Sequence, residues 1–445
     1  MLFTVVYFIL DYIMWNDEKL NPEIKPWIGI INSPEQGYSD SFYYLIGMNA
    51  PEKDDPVAWG KKELDYTASG EHSGDHKYIK LPEGKFYCRS YECRPEIESI
   101  RLMLHSQQLL LSEVSKHKIF LERYHQLLLF KSFSSLPNKE EMYNFGVVLY
   151  PQAFLIGNRL NAFQIILQAL AGNKENARIS LINDINHLKS HLALTDNLTY
   201  KLFLATAIYR DIELMVQLYR KGLMTNKFSI SPLTIKQKSL ALPVILSDLT
   251  HFLRGIALLE KEVDNQVQEQ PYSAEMRIKL KEWEDYGLMP IFKKNMSLNT
   301  YFPYLKKVNE ISELPSHQMI NAIQTNSGVS HSFKKLVDQL SSWTTRTNLL
   351  GNGLIGLILN NYDNTVSRLH ILDARIKLAN IIFFLDKKQL ISNNLLSSLA
   401  KHFNNPFYPS EKAYLNSEAN KICYRLEDGL NLPRSMDNGH ICIGF

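Results

Sequence analysis

The stretch Thr195–Gly222, TDNLTYKLFLATAIYRDIELMVQLYRKG, constrains the fold of this chain more than any other. Leu198, Leu202, Ala205, Tyr209, Ile212, Val216 and Tyr219 recur at alternating spacings of four and three. That spacing lines one face of a helix and leaves Lys201, Arg210, Glu213 and Arg220 outside the stripe. Thr195 or Asp196 can cap the first turn. Gly222 follows a last turn in which Arg220 and Lys221 suit the negative end of the helix dipole. Asp211 can also start a second, shorter helix, so the stretch reads as one helix or a pair. Its apolar face must be buried against other helices.

The flanking segments carry similar stripes. Glu96–Leu136 has no proline or glycine, and Ile100, Leu104, Leu111, Val114, Leu121 and Leu128 keep register after Pro95. It reads as one long helix, or two with a small break. Val147–Leu155 reads as a short apolar connector. Ala162–Leu170 and Glu175–Leu194, separated by AGNKEN, read as an antiparallel hairpin on which the central stretch stacks. Leu240–Val263 is amphipathic, with Leu242, Leu246, Leu249, Phe252, Ile256 and Leu259 in line. Further helices are expected at Ala274–Tyr286, His331–Arg346, Leu354–Tyr362, Thr365–Asp386 and Asn393–His402, with Met289–Pro303 irregular. No self-similarity at a fixed period is visible. The expected fold is mainly α, an irregular stack of antiparallel helix pairs over residues 96–403.

The ends differ from this body. Residues 16–95 are dense in proline and glycine and read as loop-rich, with short regular pieces near Ser41–Met48 and Val57–Leu64. Residues 404–445 read as a coil-like tail in which Lys421–Arg425 and His440–Phe445 pair as a hairpin. The four cysteines form two local pairs, Cys88 with Cys93 and Cys423 with Cys442, which suits two disulfides in an oxidising compartment. Four reduced thiols in a cytosolic protein is the alternative. Met1–Trp15, MLFTVVYFILDYIMW, is apolar but shorter than the ~20 residues of a spanning helix. No Lys or Arg precedes Lys19, and no small-x-small cleavage site follows, so a secretory signal is not the expectation. An uncleaved membrane anchor lacking its first residues is the favoured reading, because Trp15 sits where interfacial aromatics collect. An apolar element packed in the core is the other.

Lys+Arg 49 against Asp+Glu 46 gives a net charge of +3, with the basic residues dispersed, so nucleic acid is not an expected partner.

The phrases WNDEKLNPE, TYKLFLATAIYRDIELM, NTYFPYL and SRLHILDARIKLANI together resemble an uncharacterised family of proteobacterial proteins. That resemblance implies an N-terminal inner-membrane anchor and an α-helical periplasmic body. It implies no assigned reaction and no functional residues.

Three patterns carry candidate chemistry. Gly351–Gly356, GNGLIG, fits G-x-G-x-x-G with Asp373 further on, but lacks the surrounding strand–helix alternation of a dinucleotide site. Asp184, His187 and His191 share one face of the Glu175–Leu194 helix and could hold zinc. They flank the apolar Leu181, Ile185, Leu188 and Leu192, so a solvated polar face is the favoured explanation. Glu71, His72, Asp75 and His76 in EHSGDHKY gather possible ligands in one loop. No catalytic residue and no cofactor is assigned. The expected function is a non-enzymatic, membrane-tethered helical protein that binds a protein partner. A metal-assisted enzyme and a soluble cytosolic adaptor are the alternatives.

Overall fold

The computed structural model describes residues 17–31, 37–69, 78–83, 86–87, 96–136, 152–224, 228–240, 244, 246–247, 249–250, 252–253, 293–324, 362–384, 403–416, 420–426 and 440–444. The architecture is mainly helical, with one small antiparallel sheet at the C-terminal end.

Near the N-terminus a 3-10 turn, Pro22–Ile24, leads into α1 (Lys25–Ile31), followed by α2 (Asp40–Ile46), a second 3-10 turn at Gly47–Asn49 and α3 (Pro56–Ser69). This region is more helical than its proline content suggests. The prolines stand at helix starts: Pro22 opens the 3-10 turn, Pro26 is the second residue of α1, and Pro56 is the first of α3. A missing N–H costs nothing there. The short pieces expected near 41–48 and 57–64 correspond to α2 and α3.

The stretch expected as one or two helices over 96–136 forms three: α4 (Glu96–Leu104), α5 (Gln107–Lys116) and α6 (Lys118–Leu127). Ser106 and His117 leave helical geometry at φ −126°, ψ 39° and φ −116°, ψ 27°. An unbroken helix of that length would run about 60 Å. The two corners instead let α5 and α6 both lie against α7 (Gln152–Leu170).

The expected hairpin is present, formed by α7 and α8 (Lys174–Leu194), with Gly172 at φ 87° in the turn between them. Leu181, Ile185, Leu188 and Leu192 are fully buried, as their spacing predicts. The central stretch forms one continuous helix, α9 (Leu198–Arg220). Its cap is Asn197, whose side chain accepts the Tyr200 N–H at 2.9 Å, rather than Thr195 or Asp196. Asp211 starts no second helix. α9 packs against α4, α7, α8 and a later helix, α13 (Tyr362–Phe384), and every residue from 211 to 219 is buried. Lys201 and Glu213, outside the apolar stripe, are each 2% exposed.

Between α9 and α13 lie α10 (Ile235–Lys238), α11 (Lys294–Glu313) and α12 (Ser316–Gln324). Val244, Leu246, Leu249 and Phe252 are helical and buried, in keeping with the stripe read there. Residues 294–303, expected to be irregular, belong to α11, which carries Pro303 in its interior. The ring removes one backbone hydrogen bond, while burial of Phe302, Tyr304 and Leu305 keeps the helix running through it. The helices expected at 274–286, 331–346 and 393–402 lie outside the described residues.

The tail forms β1 (Tyr414–Asn416), β2 (Lys421–Arg425) and β3 (His440–Gly444), antiparallel in that order. The expected β2–β3 hairpin thus gains a third strand. Cys423 faces Cys442 in the register, and their sulfurs are bonded at 2.09 Å. The Gly444 carbonyl accepts from Gln217 Nε2 at 3.3 Å, which ties the sheet to α9. Among the described residues no helix is long and apolar enough to cross a membrane. The candidate anchor at residues 1–15 lies outside them.

Candidate functional site

Among the described residues, a buried polar cluster sits where α6, α7, α8 and α9 meet. Each helix buries an apolar face there and also contributes a polar side chain: Tyr124, Asn158, Asp184 and Asp211, none more than 5% exposed. Tyr124 donates its hydroxyl to Asp184, lying 2.9 Å from Oδ1 and 3.1 Å from Oδ2. Asn158 Nδ2 donates to the Tyr124 oxygen at 3.3 Å and to Asp211 Oδ1 at 3.3 Å. The two carboxyls lie beside one another, with Asn161 next to Asp184. His125 Nε2 continues the chain to Asn161 Oδ1 at 3.0 Å.

Close helix approach makes this meeting point possible. A Cβ on Gly157 would lie 2.4 Å from Tyr124 Cβ and 2.9 Å from the Phe120 carbonyl oxygen, so only glycine lets α7 come this near α6.

Burial raises the pKa of both acids. Asp211 is pushed well above the usual range by burial and then by the Asp184 charge beside it. For Asp184, burial again raises the value and the Tyr124 hydrogen bond pulls it back. Two buried carboxyls side by side share a proton more readily than they carry two charges.

The sequence pattern Asp184, His187, His191 does not converge. Asp184 enters the cluster just described, and His187 is exposed. His191 is buried, with Nε2 3.4 Å from the Leu128 carbonyl and Nδ1 3.4 Å from the Tyr200 hydroxyl. The solvated-face reading therefore fails for Asp184 and His191, which point inward. Among the described residues no three His, Cys, Asp or Glu side chains gather in a group suited to a metal ion. His72, Asp75, His76, Cys88 and Cys93 lie outside the described residues, as does GNGLIG. Asp373 is 2% exposed on α13, accepting the Leu233 N–H at 2.7 Å and pairing with Lys377 at 3.1 Å.

Lys201, Asp196 and His370 are buried ionisable groups that also bond within the protein. Lys201 donates to the carbonyls of Leu192 and Ser239 at 3.0 and 2.7 Å, and burial lowers its pKa to about 7. Asp196 accepts the Ser135 N–H at 2.9 Å, and burial raises its pKa to about 6. His370 Nδ1 lies 2.9 Å from Ser316 Oγ, both side chains being buried.

Sequence reasoning missed Tyr124, Asn158, Asn161 and Asp211. The available signal was FLIGNRLNAFQIIL, where Asn158, Arg159 and Asn161 interrupt an otherwise apolar helix. Polar residues in such a setting need internal partners. Comparison of the chain with protein-family models, curated proteins and solved structures gives no match.

Proposed function

We propose that this chain is a non-enzymatic helical scaffold, tethered to a membrane by its apolar N-terminal segment and presenting its helical body to a protein partner. The observation that carries this reading is the use of the buried ionisable groups. Asp184, Asp211, Lys201, Asp196 and Asp373 each bond to other parts of the chain, binding one helix or turn to another. Reactive groups serve catalysis when they reach a substrate, and these are spent on internal contacts. The bonded Cys423–Cys442 pair favours an oxidising compartment over a reducing one, in line with a periplasmic body.

Three measurements test the proposal. A photoreactive residue at Leu111 on α5 or Ile179 on α8, which are 53% and 44% exposed, should give one discrete protein adduct in the native host. The full chain should sediment with membranes and leave them when residues 1–15 are deleted. Stoichiometric zinc in the purified protein, lost in His72→Ala with His76→Ala, would overturn the scaffold reading in favour of a metal-assisted enzyme.

A further inference from the structure

The junction of α6–α9 has a consequence that does not depend on what the body binds. We propose that Asp211 and Asp184 form a proton-bound acid pair, with Asp211 neutral and Asp184 charged at neutral pH, which fastens α8 to α9 and loosens when its proton is removed.

The hydrogen-bond directions assign the proton. A tyrosine hydroxyl has one hydrogen, and Tyr124 lies within bonding distance of both oxygens of Asp184, which marks Asp184 as the acceptor. The Tyr124 oxygen then receives Asn158 Nδ2, and the same amide nitrogen approaches Asp211 at 3.3 and 3.5 Å. Asp211 lies beside Asp184 as well as against Asn158, and two buried carboxyls so placed are held together by one hydrogen between them. Both groups are buried, at 5% and 1% exposure, so water cannot screen a second negative charge.

The charged groups around the pair do not replace the proton. From α6 the facing groups are Tyr124 and His125, and His125 is bonded to Asn161. From α7 it is Arg159, whose pull on Asp211 is smaller than the opposing push of Asp184. On the other elements against α8 and α9, Arg101 of α4 acts on Arg220, and Lys236 of α10 acts on Lys201. Arg375 of α13 stacks over the Tyr209 ring at 4.0 Å, and His440 of β3 bonds to Tyr414. Loss of the shared proton would leave two adjacent carboxylates and one fewer hydrogen bond at the α8–α9 crossing.

Infrared difference spectroscopy of the purified full chain tests this. At pH 8 Asp196, with its pKa raised to about 6, is ionised and does not contribute. Wild type should show the carbonyl-stretch band of a protonated carboxylic acid at pH 8, and Asp211→Asn should lose it. No such band in wild type, or an unchanged band in the variant, overturns the proposal. Hydrogen exchange, corrected for intrinsic rate, tests the loosening. Protection over 174–220 should fall at least tenfold in wild type between pH 6 and the pH at which the band disappears. Asp211→Asn, whose amide still donates to Asp184, should hold its protection. Equal protection of wild type across that range overturns the release. If Asp211→Asn fails to fold, the wild-type band and wild-type exchange still decide both points.

Discussion

Asp17 accepts the backbone N–H of Asn295 at 2.6 Å across 278 residues of sequence. Its other oxygen takes the Met296 N–H at 3.0 Å. These are the second and third amides of α11, whose own N-cap position, Lys293, makes no side-chain capping bond. The cap is therefore supplied from a remote segment, and a carboxylate at that end also complements the helix dipole. Asn299 strengthens the contact, accepting the Asn21 N–H at 2.8 Å and donating to the Lys19 carbonyl at 3.0 Å. Asp17→Ala should cost about 1 kcal/mol in urea denaturation and speed exchange of the Asn295 and Met296 amides, while Asp17→Asn should recover part of the loss.

Arg123 of α6 performs a comparable fastening in the interior. Its guanidinium donates to the carbonyls of Met48, Ala50, Pro51 and Asp54 at 3.1, 2.6, 2.8 and 3.3 Å. One planar fork thereby gathers the turn between α2 and α3. Arg123→Ala should destabilise by roughly 3 kcal/mol, because several carbonyls lose their donor together. Arg123→Lys should rescue only part of that, since a lysine ammonium cannot span the same fan of acceptors. Limited proteolysis should show new cleavage within 40–69 before the rest of the body is cut.

How far the fold is legible in the sequence depends on which rule each segment obeys. The α7–α8 hairpin, the α9 helix and the β2–β3 pairing follow from periodicity and turn chemistry, and the structure contains all three. The single apolar stripe expected on α9 does not hold, since Leu202 and Tyr209 are only half-buried while 211–219 are buried all round. Most of the misreadings share one assumption, that charge and proline belong outside. Lys201, Glu213, Asp184 and Asp211 are charged in sequence yet interior in space, because each helix around α9 needs internal acceptors and donors. Proline marks loops well only away from helix starts, which Pro22, Pro26 and Pro56 occupy. The corners at Ser106 and His117 carry neither glycine nor proline, and they are set by packing on α7, which no local pattern records. For the α6–α9 cluster the residue types were visible, but their meeting depends on four segments spread over about 90 residues.

Gly157→Ala tests the close approach that brings Tyr124 to Asp184. The added methyl needs room already filled by Tyr124 and the Phe120 carbonyl, so α6 or α7 must shift. The expected loss is about 1–3 kcal/mol in the urea midpoint analysis. Weaker burial of Tyr124, read by its fluorescence or ultraviolet absorption, should accompany it.

Burial lowers the pKa of His191 to about 4. Above the unfolded value of about 6.5 both states are neutral and its contribution is complete. As pH falls below that, the unfolded chain binds the proton first, and stability is lost at ~1.4 kcal/mol per pH unit until the folded histidine also titrates near 4. Asp196, raised to about 6, acts in the opposite sense, since its contribution is lost as pH rises toward 6. The comparison is therefore between chains: His191→Gln should be less stable than wild type at pH 7, and the gap should narrow by pH 5. Urea denaturation at the two pH values measures it.

α9 is the internal spine of the body, with Lys201, Asp211 and Glu213 buried among the helices and sheet around it. Native-state hydrogen exchange resolved along the whole chain tests that claim most directly. Peptides from 204–219 should exchange at the slowest rates in the protein, opening only with global unfolding, while those from 107–116 exchange earlier. If 204–219 exchanges as fast as the surface helix α5, α9 is not the spine and the account is contradicted.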